Sequence, residues 1–101
     1  MEDIQAIIAN YDYLNGQMTS DDGNHFRNLN SFIAAIGCGL ELGFNFGGVR
    51  WYLGSTASGL LLSKDNGEWK VKFTNFDDLL DYSFAGKTIR TNWADIFINE
   101  F

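Results

Sequence analysis

The side chains in this sequence whose types and spacing could do chemistry are mostly carboxylates. Asp77, Asp78 and Asp81 lie close together. On a helix Asp77 and Asp81 stand at i, i+4 and Asp78 and Asp81 at i, i+3, so each like-charge pair costs about 0.2–0.5 kcal/mol. Asp81 also falls toward the helix end where the backbone dipole disfavours an anion. Such a cluster suits presentation of negative charge to a partner, although a solvated face tolerates the same repulsion at small cost. Asp21-Asp22-Gly23-Asn24-His25 gathers oxygen ligands and an imidazole but lacks the alternating spacing and distal glutamate of a calcium loop. It reads as a solvated loop that caps the helix after it.

Nucleophilic and phosphate chemistry find less support. His25 and Cys38 could act as base and nucleophile only if the fold joined them, and no third residue presents itself to orient the pair. A lone cysteine is more commonly a small buried thiol. Gly86-Lys87-Thr88 is the tail of a phosphate-binding loop, but Asp81 occupies the position of its first glycine, where a carboxylate would repel phosphate. It reads as a turn. Gly37-Cys38-Gly39 fails the dinucleotide fingerprint, because Leu42 stands at the third glycine position and a strand follows the motif instead of preceding it. One histidine and one cysteine cannot build a structural zinc site. The expectation is a protein without catalytic residues, cofactor or metal, and not an enzyme.

Composition narrows the partners. The chain of 101 residues has room for one domain, residues 1–101, and its 46% hydrophobic and 16% aromatic content is that of a packed core. Thirteen acidic against seven basic residues give a net charge of −6, which argues against direct nucleic-acid binding, because that affinity comes from Lys and Arg displacing counterions. Residues 1–26 carry Glu2, Asp3, Asp12, Asp21 and Asp22 and no Lys or Arg, so one end of the molecule is expected to present a negative field. A single cysteine excludes an intramolecular disulfide and suits a reducing interior. With no apolar run long enough to span a bilayer and no leader-like start, the expected location is the cytoplasm, with no membrane partner.

The elements that must position these residues follow from periodicity. Ile4, Ile7, Ile8, Tyr11 and Leu14 form a helical stripe that stops at Asn15-Gly16; Phe26, Leu29, Phe32, Ile33 and Ile36 form a second. Leu40, Leu42, Phe44 and Phe46, then Val49, Trp51 and Leu53, alternate with other residues on either side of Gly47-Gly48. This predicts a hairpin pairing Phe46 with Val49, Phe44 with Trp51 and Leu42 with Leu53. Arg50 and Tyr52 then project from the opposite face, and both residue types are enriched at protein interfaces. Gly54 to Gly59 reads as a flexible loop, followed by a second hairpin from Leu60-Leu61-Leu62 to Trp69–Phe73. Its turn, around Asn66-Gly67, opposes Glu68 with either Asp65 or Lys64. Three consecutive leucines suggest a central strand. Thr74 or Asn75 caps a short helix with Phe76, Leu79 and Leu80, and Thr91 or Asn92 caps a last helix with Trp93, Ile96 and Phe97, ending near Phe101. The predicted fold is α+β: a four-stranded antiparallel meander with two N-terminal and two short C-terminal helices packed on it.

Residues 73–96, with an aromatic residue, the acidic Asp77-Asp78-Leu79-Leu80 helix, the Gly86-Lys87-Thr88 turn and Trp93 in a closing helix, resemble the C-terminal tail of small proteins carried by phages and mobile elements of Gram-positive bacteria. Some small acidic members of that neighbourhood are anti-CRISPR inhibitors. The resemblance implies a protein-binding module that covers a basic, nucleic-acid-handling surface, such as that of a Cas nuclease. The same surface would suit a toxin-immunity protein or antitoxin facing a toxin, and a structural or assembly protein of a phage is a third possibility. The partner-binding candidates are Asp77, Asp78, Asp81, Asp21, Asp22, Arg50 and Tyr52.

Overall fold

A computed structural model describes residues 4–11 and 18–100. The elements run α1 (Ile4–Asn10), α2 (Leu29–Gly37), β1 (Leu42–Phe46), β2 (Val49–Thr56), β3 (Gly59–Lys64), β4 (Trp69–Phe73), α3 (Phe76–Leu80), α4 (Ile89–Asn92) and β5 (Phe97–Glu100). Glu2, Asp3, Asp12, Leu14 and the Asn15-Gly16 stop lie outside the described residues.

The class is α+β, but the sheet has five antiparallel strands in the order β4-β3-β2-β1-β5. The first hairpin has the predicted register, with Leu42 opposite Leu53, Phe44 opposite Trp51 and Phe46 opposite Val49. Gly47 and Gly48 both take positive φ, at 62° and 78°, which lets the turn twist in the sense of the strands it joins. Leu40 stands outside β1 and is exposed.

Three local expectations are corrected by tertiary pairing. Gly54, Ser55 and Thr56 are not loop but the end of β2, because Gly54 pairs with Leu61 and Thr56 with Gly59. The second hairpin closes with Lys64 opposite Trp69, so neither predicted opposition of Glu68 forms. Asp65, Asn66 and Gly67 all take positive φ there, and their short side chains tolerate the resulting longer turn. The last predicted helix is divided: α4 starts after Thr88, a single turn of 3-10 helix covers Trp93–Asp95, and Phe97–Glu100 joins the edge of β1 as β5.

One face of the sheet is closed by helices. Leu42, Phe44, Leu53 and Leu62 are buried there, and α2, buried from Ser31 to Ile36, packs against β2 and α1. A β-carbon on Gly37 would collide with Ile8 Cδ1, so glycine is what lets α1 approach α2. Asn28 caps α2, its side chain accepting from the Ser31 amide at 2.8 Å, so the cap is not the expected Asp21–His25 loop. At one end of this core Phe84 meets Trp51, Phe46 and Tyr82 edge to face, and the Trp51 indole N–H donates to the Phe46 carbonyl at 3.0 Å. Lys64 places its ammonium 5.0 Å from both the Trp51 and Trp69 rings, a favourable cation–π arrangement that covers the cluster with its stem. β3 is interior, as its leucines predict: Leu60 and Leu62 face the core and Leu61 faces out.

Candidate functional site

The opposite face of the sheet carries side chains that the helices do not cover. The register sets them in rows across the strands. Lys72 lies opposite Leu61, and Leu61 opposite Gly54; the stem of Glu41 lies over Gly54, its Cγ 3.6 Å from where a β-carbon would be. In the next row come Lys70, Ser63, Tyr52, Gly43 and Glu100, each paired with the next. Glu100 folds over Gly43, with Cγ 2.7 Å from the position of a β-carbon. Arg50 and Asn45 begin a third row, where the Asn45 side-chain carbonyl accepts from Asn99 at 3.0 Å.

Two glycines in the middle of a sheet leave space that other residues would fill. Gly43 and Gly54 form the floor of an open groove of about 570 Å³ flanked by Tyr52, Leu61, Glu41 and Glu100. Arg50 holds its guanidinium 5.6 Å from the Tyr52 ring centre, so the two interface-type candidates form one amphipathic unit. Among the described residues none of Glu41, Arg50, Lys70, Lys72 or Glu100 has an ion-pair partner.

The acidic candidates are placed differently. Asn75 caps α3 by accepting from the Asp78 amide at 2.9 Å, which puts Asp77 and Asp78 in the first turn. Arg90, arriving from α4, then clamps the outlying pair: Nε donates to Asp81 Oδ1 at 2.6 Å and Nη2 to Asp77 Oδ1 at 2.9 Å. This charge-assisted contact holds the Asp81 carboxyl below its ordinary pKa and raises that of Arg90, first through Asp81 and then through Asp77. The like-charge crowding that suggested presentation to a partner is therefore answered inside the chain. Asp78 alone of the three is exposed without an ion-pair partner among the described residues.

Asp22 is likewise engaged locally. The Ser20 hydroxyl at 2.6 Å, the Asn24 backbone N–H at 2.8 Å and the His25 ring at 3.0 Å converge on it and lower its pKa to about 2. Asp21 lies 3.7 Å from Arg27. The loop they fold protects the sheet edge. Its Asn24 carbonyl accepts from the Ile98 amide at 2.6 Å, and the Asn24 side chain donates to the Ile98 carbonyl at 3.3 Å. These bonds satisfy backbone groups on the outer edge of β5, which would otherwise invite pairing with another chain. His25 also meets Phe97 edge to face at 5.6 Å.

Cys38 is exposed, not buried, with its thiol donating to the Ala35 carbonyl at 3.3 Å. His25 and Cys38 are each tied to neighbours of their own. The Gly86-Lys87 segment is a turn, with Ala85 and Gly86 at positive φ between the bridged residues Phe84 and Lys87, and Lys87 pairs with Asp95 at 3.5 Å. Among the described residues no three His, Cys, Asp or Glu side chains converge as a metal site, and no helix is long and apolar enough to cross a membrane.

Sequence reasoning named Arg50 and Tyr52 as candidates and placed Lys70 and Lys72 on the sheet with Arg50, but it did not join Glu41 and Glu100 to them, and it missed Arg90. The i, i+4 pair Asp77 and Asp81 was itself a signal for Arg90, since two helical carboxylates at that spacing ask for a cation between them. No family model, no curated protein and no solved structure matches the chain.

Proposed function

We propose that this chain is a non-catalytic protein-binding module that docks through the uncovered face of its sheet, with Arg50 and Tyr52 at the centre of contact. The observation that carries the reading is the contrast in charge pairing: this face holds Glu41, Glu100, Arg50, Lys70 and Lys72 without ion-pair partners among the described residues. A tyrosine and an arginine beside a glycine-floored groove are the residue types and shape that interface hot spots use.

The resemblance of residues 73–96 supports a module of the inhibitor or immunity type, acting in the cytoplasm on a Cas nuclease or a toxin. Its net charge of −6 suits a basic target, by steering association more than by setting affinity. An assembly role in a phage particle is the alternative. Of the acidic residues, Asp78 remains the one most open to a target, because Arg90 occupies Asp77 and Asp81.

The test is capture of the target from a CRISPR-bearing Gram-positive host, its identification by mass spectrometry, and titration with purified variants. Tyr52→Ala and Arg50→Ala should each weaken the complex by about 10-fold or more. Asp77→Asn should leave it unchanged. Wild-type affinity in both open-face variants would remove this surface from the account.

A further inference from the structure

We infer that the occupant the open face fits is a second copy of this chain, packed face to face about a two-fold axis that runs parallel to the strands between β2 and β3. The inference rests on reading that face as a docking surface, and goes further by naming what covers it in the free protein, where a target would have to displace the second copy.

Register decides the fit. A two-fold axis lying in the plane of contact and parallel to the strands reverses the order of strands and preserves position along them. With the order β4-β3-β2-β1-β5, it sets β4 of one copy over β1 of the other and β3 over β2. Each row is then read against itself backwards. In the first row, which runs Lys72, Leu61, Gly54 and across to Glu41, Lys72 comes to lie over Glu41 of the second copy and Leu61 over Gly54, against the Glu41 stem that lies there. In the next row Lys70 lies over Gly43 of the second copy, where the Glu100 carboxylate is folded. Cations meet anions at both flanks, and Leu61 meets the glycine-floored groove at the centre.

That complementarity is a property of the order of residues and not of net charge. Two copies at −6 repel as wholes, yet the first two rows each begin with a lysine on β4 and end with a glutamate at the β1–β5 side, so a two-fold relation makes both flanks attractive at once. Aligned packing of two sheets keeps their strands within about 30° of one another, which preserves these pairs near the axis. The four strands that overlap about this axis, at about 4.8 Å spacing, make a face roughly 19 Å wide. That is a small interface, so the dimer forms with rising concentration and not as an obligate unit.

Charge reversal tests this directly. Wild-type protein, Lys72→Glu, Glu41→Lys and the chain carrying both are compared by sedimentation velocity over a concentration series at about 0.15 M salt, with circular dichroism as the check on folding. Wild type should move toward twice the chain mass. Either single variant should self-associate about 10-fold or more weakly. The doubly substituted chain should recover, and an equimolar mixture of the two single variants should form a mixed dimer, because each then supplies the charge the other lacks.

Wild type that stays monomeric at every concentration overturns the second copy as occupant; the docking reading is then judged separately by Tyr52→Ala against the captured target. Association that persists unchanged in both single variants also overturns the inference, since the copies would be meeting elsewhere. Loss in the single variants without rescue in the double or in the mixture overturns the proposed register.

Discussion

Most charges on the helix side of this molecule are paired, Asp78 being an exception, whereas those on the open sheet face are not, among the described residues. Around the helices and loops, Arg90 clamps Asp77 and Asp81, Lys87 meets Asp95, Arg27 approaches Asp21, and His25 joins Asp22. On the open sheet face, Lys70, Lys72, Arg50, Glu41 and Glu100 stand in rows without such partners among the described residues. Inward, the same strands are saturated: Phe44 and Leu62 are fully buried, while Tyr52 and Leu61, one position away in the pleat, face out. The difference teaches where to look for a partner in a chain of high net charge. An acidic cluster that already owns a cation has little left to offer, whereas unpaired charges of both signs beside half-buried aromatic and apolar groups have more.

The widest gap should separate neighbouring residues of β1 and β2. Phe44→Ala opens a cavity in the core and should cost about 3–5 kcal/mol, read as a fall in melting temperature of roughly 15 °C or more. Tyr52→Ala, on the strand that Phe44 pairs with but on the other face, should cost under about 1 kcal/mol. Equal losses, measured by thermal or urea unfolding, would show that the open face belongs to the core and erase the distinction between the two sides.

Arg90→Ala should come next. It strands Asp77 and Asp81 as an exposed like-charge helical pair, read as a fall in melting temperature of about 2–4 °C. Arg90→Lys keeps the charge but cannot fork between two carboxylates, so it should recover only part of the loss. Asp78→Asn should stay within about 0.5 kcal/mol of wild type. If Asp78→Asn destabilised the protein as much as Arg90→Ala, the pairing of charge on the helix side would not be what distinguishes Asp78 from its neighbours.

Legibility in the sequence followed how local each decision is. The first hairpin is set by alternation and a Gly47-Gly48 turn, both within a short stretch, and its register could be read in advance. The cap of α3 at Asn75 was equally local. The second hairpin depended on Asp65 and Asn66 both entering the left-handed region, which their types allow but do not require. β5 misled because Trp93, Ile96 and Phe97 have helical spacing; Phe97–Glu100 is extended because the edge of β1 on one side and Asn24 on the other supply its hydrogen bonds. Arg50 and Tyr52 were placed on the outer face by parity alone. Glu100 could be grouped with them only once β5 was known to join the sheet, and Arg90 reaches Asp77 across thirteen positions of chain.

The smallest effect expected is that of acid, and its sign follows from the direction of the shifts. Asp22 is lowered from 3.8 to about 2 by Ser20, then the Asn24 amide, then His25, and Asp81 is lowered by Arg90. A carboxyl whose pKa is lower folded than unfolded contributes stability that is complete above the unfolded value and disappears as pH falls through the folded one. Melting temperature should therefore hold from neutral pH to about pH 4 and decline between about pH 4 and pH 2. Asp22→Asn should shallow that decline, because the substituted loop no longer has that proton to take up, and Arg90→Ala should do so through Asp81. Both carboxylates lie outside the sheet, so acid should loosen the loop over β5 and the α3–α4 clamp before it disturbs the β2–β3 pairing. Amide exchange at Ile98 that quickens at about pH 3 while Leu61 stays protected would match that order. The reverse order would place the acid-sensitive charges on the sheet, where Glu41 and Glu100 stand without ion-pair partners among the described residues.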